Sequence, residues 1–103
     1  MKVHDFKKQV VRNLQPMKPE KIILFGSLST GKYVSGKSDI DLLIIKNTQK
    51  RMGDRYAQAR LLLPDDPPVD LFVLTQDELN EKLQNSFFFR DVVSQGEVLY
   101  EKQ

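Results

Sequence analysis

Three carboxylates in this chain stand where strands are expected and where a charge needs a reason. Asp39 and Asp41 are two apart at the head of the apolar run Ile40 to Ile45. Side chains alternate faces along a strand, so Asp39 and Asp41 share one face while Ile40 takes the other. Asp70 lies inside Val69-Asp70-Leu71-Phe72-Val73-Leu74, which otherwise reads as core. A carboxylate buried there without a partner is costly, so Asp70 calls for a cation or a hydrogen-bonding group. With the two strands as neighbours, all three carboxylates meet. Three hard oxygen donors on rigid strands suit Mg²⁺, which takes few protein carboxylates and completes its shell with water and substrate phosphate.

Gly26-Ser27, directly after the apolar run Lys21 to Phe25, supplies the other half of such a site. A glycine lets the backbone approach a ligand closely, and Ser27 offers a hydroxyl and an N–H where anions are favoured. Strand, Gly-Ser, loop, Asp-x-Asp, strand and strand-borne Asp together describe a nucleotide and metal site. The loop also contains Gly31-Lys32-Tyr33-Val34-Ser35-Gly36-Lys37-Ser38, the spelling of a Walker A phosphate loop. Its context is reversed. A phosphate loop opens a helix, whose N-terminus faces the phosphates, whereas Ser38 leads at once into Asp39-Ile40-Asp41 and a strand. The overlapping version from Gly26 has Tyr33 where the Mg²⁺-binding hydroxyl belongs.

The elements that must position these residues follow from periodicity. Asp5 to Gln15 carries Phe6, Val10, Val11 and Leu14 at helical spacing, and Pro16 and Pro19 end it. Lys21–Phe25 and Ile40–Ile45 read as buried strands on either side of a polar loop from Gly26 to Ser38. Thr48 to Leu63 is expected to be a helix carrying Met52, Tyr56, Ala59, Leu62 and Leu63 at helical intervals, with Gly53 weakening its middle. Val69–Leu74 is the third strand. Thr75-Gln76-Asp77-Glu78 has the form of a capping box opening a helix through Leu79 and Leu83. Phe87 to Gln95 adds a further helical turn or two, stopped at Gly96, and Val98-Leu99-Tyr100 fits a short edge strand. The expected architecture is α/β (α+β): a small mixed sheet of three to four strands flanked by helices.

Composition bounds the rest. The 103 residues, 40% hydrophobic and 29% charged, fit one domain spanning 1–103. The net charge of +2, without Arg clusters, makes nucleic acid an unexpected partner. There are no cysteines, so disulfides and thiolate metal sites are excluded. No apolar stretch approaches the roughly 18 residues of a membrane span, and the start lacks the apolar core of a signal peptide, so a cytoplasmic location is expected. His4, Lys7-Lys8 and Lys50-Arg51 read as solvated. Consecutive helical residues are about 100° apart, so Phe87, Phe88 and Phe89 cannot all face the core and at least one is a candidate partner contact. Tyr33 is a candidate for stacking on a base.

On Ile22-Ile23-Leu24-Phe25-Gly26-Ser27, Ser38-Asp39-Ile40-Asp41-Leu42 and Val69-Asp70-Leu71, the chain resembles the nucleotidyltransferase superfamily. More narrowly it is similar to the minimal nucleotidyltransferases (MNT), small proteins that often act as antitoxins of HEPN-domain toxins. The tail Gly96-Glu97-Val98-Leu99-Tyr100-Glu101 shares the resemblance. These relatives usually carry Arg directly after Gly-Ser, where this chain has Leu28-Ser29-Thr30-Gly31, and Lys32 and Lys37 are the nearby cations. The resemblance implies that Gly26 and Ser27 hold nucleotide phosphates, that Asp39 and Asp41 bind Mg²⁺, and that Asp70 completes the site as metal ligand or base. It further implies ATP as nucleotide and a tyrosine hydroxyl of a HEPN-domain toxin as acceptor. Two functions compete on this basis: transfer of a nucleoside monophosphate, AMP from ATP, to a protein hydroxyl, or neutralisation of the partner by docking without catalysis.

Overall fold

The computed structural model describes residues 3–26 and 40–103. Helix α1 (Val3–Leu14) buries Phe6, Val10 and Leu14, one side chain per turn, and its last turn runs into a 3-10 turn at Gln15–Met17. Pro16 lies in that turn, as the sequence requires of a residue without an N–H.

Four strands follow: β1 (Lys21–Phe25), β2 (Ile40–Ile45), β3 (Val69–Leu74) and β4 (Glu97–Glu101), in the order β3-β2-β1-β4. β1 runs antiparallel to both β2 and β4, while β2 and β3 are parallel, so the sheet is mixed. The parallel pair needs a crossover, supplied by helix α2 (Met52–Leu62). β2 is interior and covered on both faces, which is why Leu42 to Ile45 form an uninterrupted apolar run with every side chain buried.

Strand alternation divides the core in two. On one face Ile22, Leu24, Ile40, Leu42, Ile44, Val69, Leu71 and Val73 pack with α1 and with Ala59 of α2. On the other, Ile23, Phe25, Leu43, Ile45, Phe72 and Leu74 pack with Leu79 of helix α3 (Gln76–Asn85) and with Phe89 and Val92 of helix α4 (Phe87–Gln95).

Helix α2 departs from the expectation in start and in face. It begins at Met52 because the Thr48 hydroxyl accepts the Lys50 N–H at 3.2 Å, holding a local turn. Gly53 therefore sits in the first turn and not the middle. Met52 and Tyr56 are exposed, whereas Ala59 and Leu63 are buried and Leu62 packs against the same core as expected; the added inward residue is the charged Arg55, only 7% exposed. Arg55 is turned in by Glu78: Nη1 donates to Oε1 at 2.6 Å and Nη2 to Oε2 at 3.3 Å, while Nε donates to the Lys50 carbonyl at 2.8 Å.

Glu78 is also the third residue of the expected capping box. Its carboxylate accepts the Thr75 N–H at 2.8 Å, and its own N–H donates to the Thr75 hydroxyl at 3.1 Å. The Arg55 hydrogen bond first and the Thr75 N–H second hold the Glu78 carboxyl below its ordinary 4.5, against burial pushing it up.

Among the three phenylalanines of α4, Phe89 is core, Phe88 is 49% exposed and Phe87 is 81% exposed. Gly96 caps α4 with ordinary extended angles (φ −71°, ψ 158°), so a left-handed turn is not what requires it. Space is. A Cβ there would meet the Val92 carbonyl and the Ile23 Cγ2, the latter at 2.6 Å. β4 then closes the sheet beside β1, with a register shift between Ile22 and Ile23.

Candidate active site

Two of the five expected site residues share one row of the sheet. The β2 and β3 register pairs Asp41 with Asp70, and the β1 and β2 register pairs Phe25 with Asp41. Registered neighbours on adjacent strands point to the same face, about 4.8 Å apart between strands, so Phe25, Asp41 and Asp70 form a line across the α3 and α4 face. Gly26 follows Phe25 at the open end of β1 and takes φ 83°, a conformation only glycine adopts without strain. Ser27 and Asp39 lie outside the described residues, as does Tyr33.

Asp70 differs from its expectation in one respect. It is exposed, so desolvation does not force a partner on it. β3 is the sheet edge, and Asp70, near its start, is open to water while Val69 and Leu71 beside it are buried. Strand register, and not the cost of burial, sets Asp70 beside half-buried Asp41. Two like charges in directly opposed positions repel, and a cation between them removes the repulsion.

An open pocket of about 410 Å³ gathers Gly26, Asp41 and Asp70 with Phe25, Tyr56, Phe72 and Phe88. Its aromatic wall is interlocked. Phe88 meets Phe25 at 5.8 Å between centroids, Phe72 at 5.8 Å and Phe89 at 5.1 Å. Sequence reasoning did not assign these rings to the site. Phe72 carried a signal, being two residues from Asp70 and hence on its face. Tyr56 carried none, because its helical spacing matched a core position.

The donor chemistry fits a hard divalent cation: two carboxylates on adjacent strands, at the mouth of a pocket open to water and substrate. Among the described residues no group of three or more His, Cys, Asp and Glu side chains is assembled. Another pocket, between α1 and β4, is lined by His4, Lys7, Lys8 and Arg12 with Glu97 and shares no lining residue with the carboxylate pocket. Among the described residues no helix is long and apolar enough to cross a membrane.

Residues 4–101 match the Nucleotidyltransferase domain family. A Methanocaldococcus jannaschii protein named "putative protein adenylyltransferase" is 36% identical over 81 residues, covering 79% of this chain and 78% of its own length. A solved structure described as a "putative nucleotidyltransferase" from Sulfolobus solfataricus superposes with a TM-score of 0.62 at 17% identity, over 97% of this chain and 84% of that one. The last is a likeness of fold.

Proposed function

The chain belongs to the Nucleotidyltransferase domain family, and from that premise we propose that it transfers a nucleoside monophosphate, AMP from ATP, to a protein hydroxyl in a Mg²⁺-dependent reaction. The observation that carries the reading is the registered pair Asp41 and Asp70 opening on the same pocket as Gly26. The name of the M. jannaschii relative supports a protein acceptor and an adenylyl group.

Asp41 and Asp70, with Asp39, would hold the cation, and Gly26 with Ser27 would receive the phosphates. When bound, the cation neutralises charge on the α-phosphate and on the departing pyrophosphate. Gly26 brings the backbone against the phosphates without a side chain in the way. The Asp70 carboxylate, exposed at the sheet edge, takes the proton of the acceptor hydroxyl as that oxygen bonds to the α-phosphorus. The bond from the α-phosphorus to the oxygen bridging to the β-phosphate breaks, and pyrophosphate leaves. Little else is asked of the protein beyond positioning and charge.

The partner in this reading is a HEPN-domain toxin, neutralised by modification. Phe87, the most exposed of the three phenylalanines, favours a second reading in which docking alone neutralises that partner. Incubation of the chain with α-phosphate-labelled ATP, Mg²⁺ and a HEPN-domain partner separates the two. The enzymatic reading expects label on the partner with the wild type and none with Asp41→Asn. Neutralisation without ATP, and no label with the wild type, overturns it.

A further inference from the structure

The pocket holds more than phosphates and a cation need. Its polar half is Gly26, Asp41 and Asp70; its other half is aromatic, and two of those rings are wet. Tyr56 is 44% exposed and Phe88 49% exposed. They come from helices on opposite faces of the sheet, since α2 packs with the α1 core and α4 with the other. Even so, both line the same cavity as the carboxylates.

The order across the sheet gives this aromatic half a role. Gly26 stands at the end of β1, Asp41 on β2 and Asp70 on the edge strand β3. A nucleoside triphosphate is asymmetric about its α-phosphorus, with the polyanion on one side and sugar and base on the other. With the α-phosphorus at the carboxylates and the outer phosphates toward Gly26, the base must lie on the side away from Gly26, toward the β3 edge. That edge is where the pocket gains Tyr56, Leu71 and Phe72, and Phe88 spans from there toward β1, 5.8 Å from the rings of both Phe72 and Phe25. A phosphate gains nothing from aromatic walls and a hard divalent cation keeps to oxygen ligands and water, whereas a flat ring stacks on them, and a cavity of about 410 Å³ falls within the usual size of small-molecule sites.

We propose that Tyr56 and Phe88 are the nucleobase-binding walls of this site and hold a purine by its faces, an inference that rests on the nucleotide-transfer reading above. Phe88 is braced for this by edge-to-face contact with Phe25 (79°) and Phe89 (89°), so its ring is fixed before the ligand arrives. Stacking strength follows ring area, so these walls hold the larger purine more tightly than a pyrimidine.

Equilibrium binding of Mg·ATP, Mg·CTP and Mg·tripolyphosphate tests it, on the wild type, Phe88→Ala, Tyr56→Ala and the conservative Phe88→Tyr and Tyr56→Phe. Tripolyphosphate carries the charge without the base. The wild type is expected to bind ATP more tightly than CTP. Each alanine variant should weaken ATP by about tenfold, the scale of one lost base–aromatic stack, with tripolyphosphate unchanged. The conservative variants should keep the wild-type affinity. Equal losses for ATP and tripolyphosphate, or no loss in either alanine variant, overturn the assignment while the nucleotide site stands. Binding of neither compound by the wild type removes the nucleotide site itself and this inference with it.

Discussion

Replacing Glu78 by Gln isolates a single charge in the support beneath the site. Glutamine can still fill the third position of a capping box, so the helix cap survives and only the ion pair to Arg55 is lost. Arg55 is 7% exposed, and stripping the partner from a buried charge costs about 3–5 kcal/mol when both ends are dry. The Glu78 side chain, however, is 34% exposed, so water partly replaces it, and the expected loss falls to about 2 kcal/mol. Glu78→Ala should cost about 1 kcal/mol more, through the cap. In a domain of this size about 2 kcal/mol lowers the melting temperature by roughly 8–16 °C. Thermal melts followed by circular dichroism at several pH values measure both the loss and its origin. Because the folded protein holds the Glu78 carboxyl below 4.5, the unfolded chain takes up the proton first as pH falls. The advantage of wild type over Glu78→Gln is therefore complete above about pH 4.5 and shrinks as pH drops through the lowered folded value. A Gln variant as stable as wild type at neutral pH would refute the reasoning, as would a gap that stays constant into strong acid.

Three further outcomes follow from the same geometry. Saturating Mg·ATP at about a hundred times its Kd should stabilise the wild type by about 2.7 kcal/mol, and Asp41→Asn should lose most of that shift while melting normally without ligand; an equal shift in the variant would place the ion elsewhere. Gly96→Ala should cost about 1–3 kcal/mol in a denaturant titration, because its Cβ meets the Val92 carbonyl and Ile23 Cγ2, both within packed structure, and an unchanged midpoint would contradict the crowding. Phe87→Ser, at a position 81% exposed, should leave stability within about 0.5 kcal/mol yet weaken a HEPN-domain complex in co-purification, and an unaltered complex would remove Phe87 from the interface.

The sheet was legible because its signals are local. Lys21–Phe25, Ile40–Ile45 and Val69–Leu74 have the bounds that their apolar runs suggest, since each run ends at a glycine, a charge or a turn. The capping box at Thr75 was legible for the same reason: both partners lie within one helical turn. Asp41 and Asp70 could be placed on strands from alternation, but their pairing is a property of register, which the crossover between them fixes and neither segment encodes alone.

In helix α2 the local signals hold for Ala59, Leu62 and Leu63 but miss the burial of Arg55 and the exposure of Met52 and Tyr56. Apolar periodicity selects the face of a helix only when burial of apolar area outweighs everything else that orients it, and in α2 it does not. Rotating the helix to bury Tyr56 would gain hydrophobic burial but would carry Arg55 away from Glu78, leaving that carboxylate without its guanidinium. The observed rotation instead keeps two charged hydrogen bonds from Arg55 to Glu78 and exposes Tyr56. Residues 55 and 56 are about 100° apart on the helix, so the burial of one and the presentation of the other are a single choice. The ion pair that looks like a structural strut between α2 and α3 is thus what delivers an aromatic ring to the carboxylate pocket. Loosening it should be felt in nucleotide affinity as well as in the melting temperature.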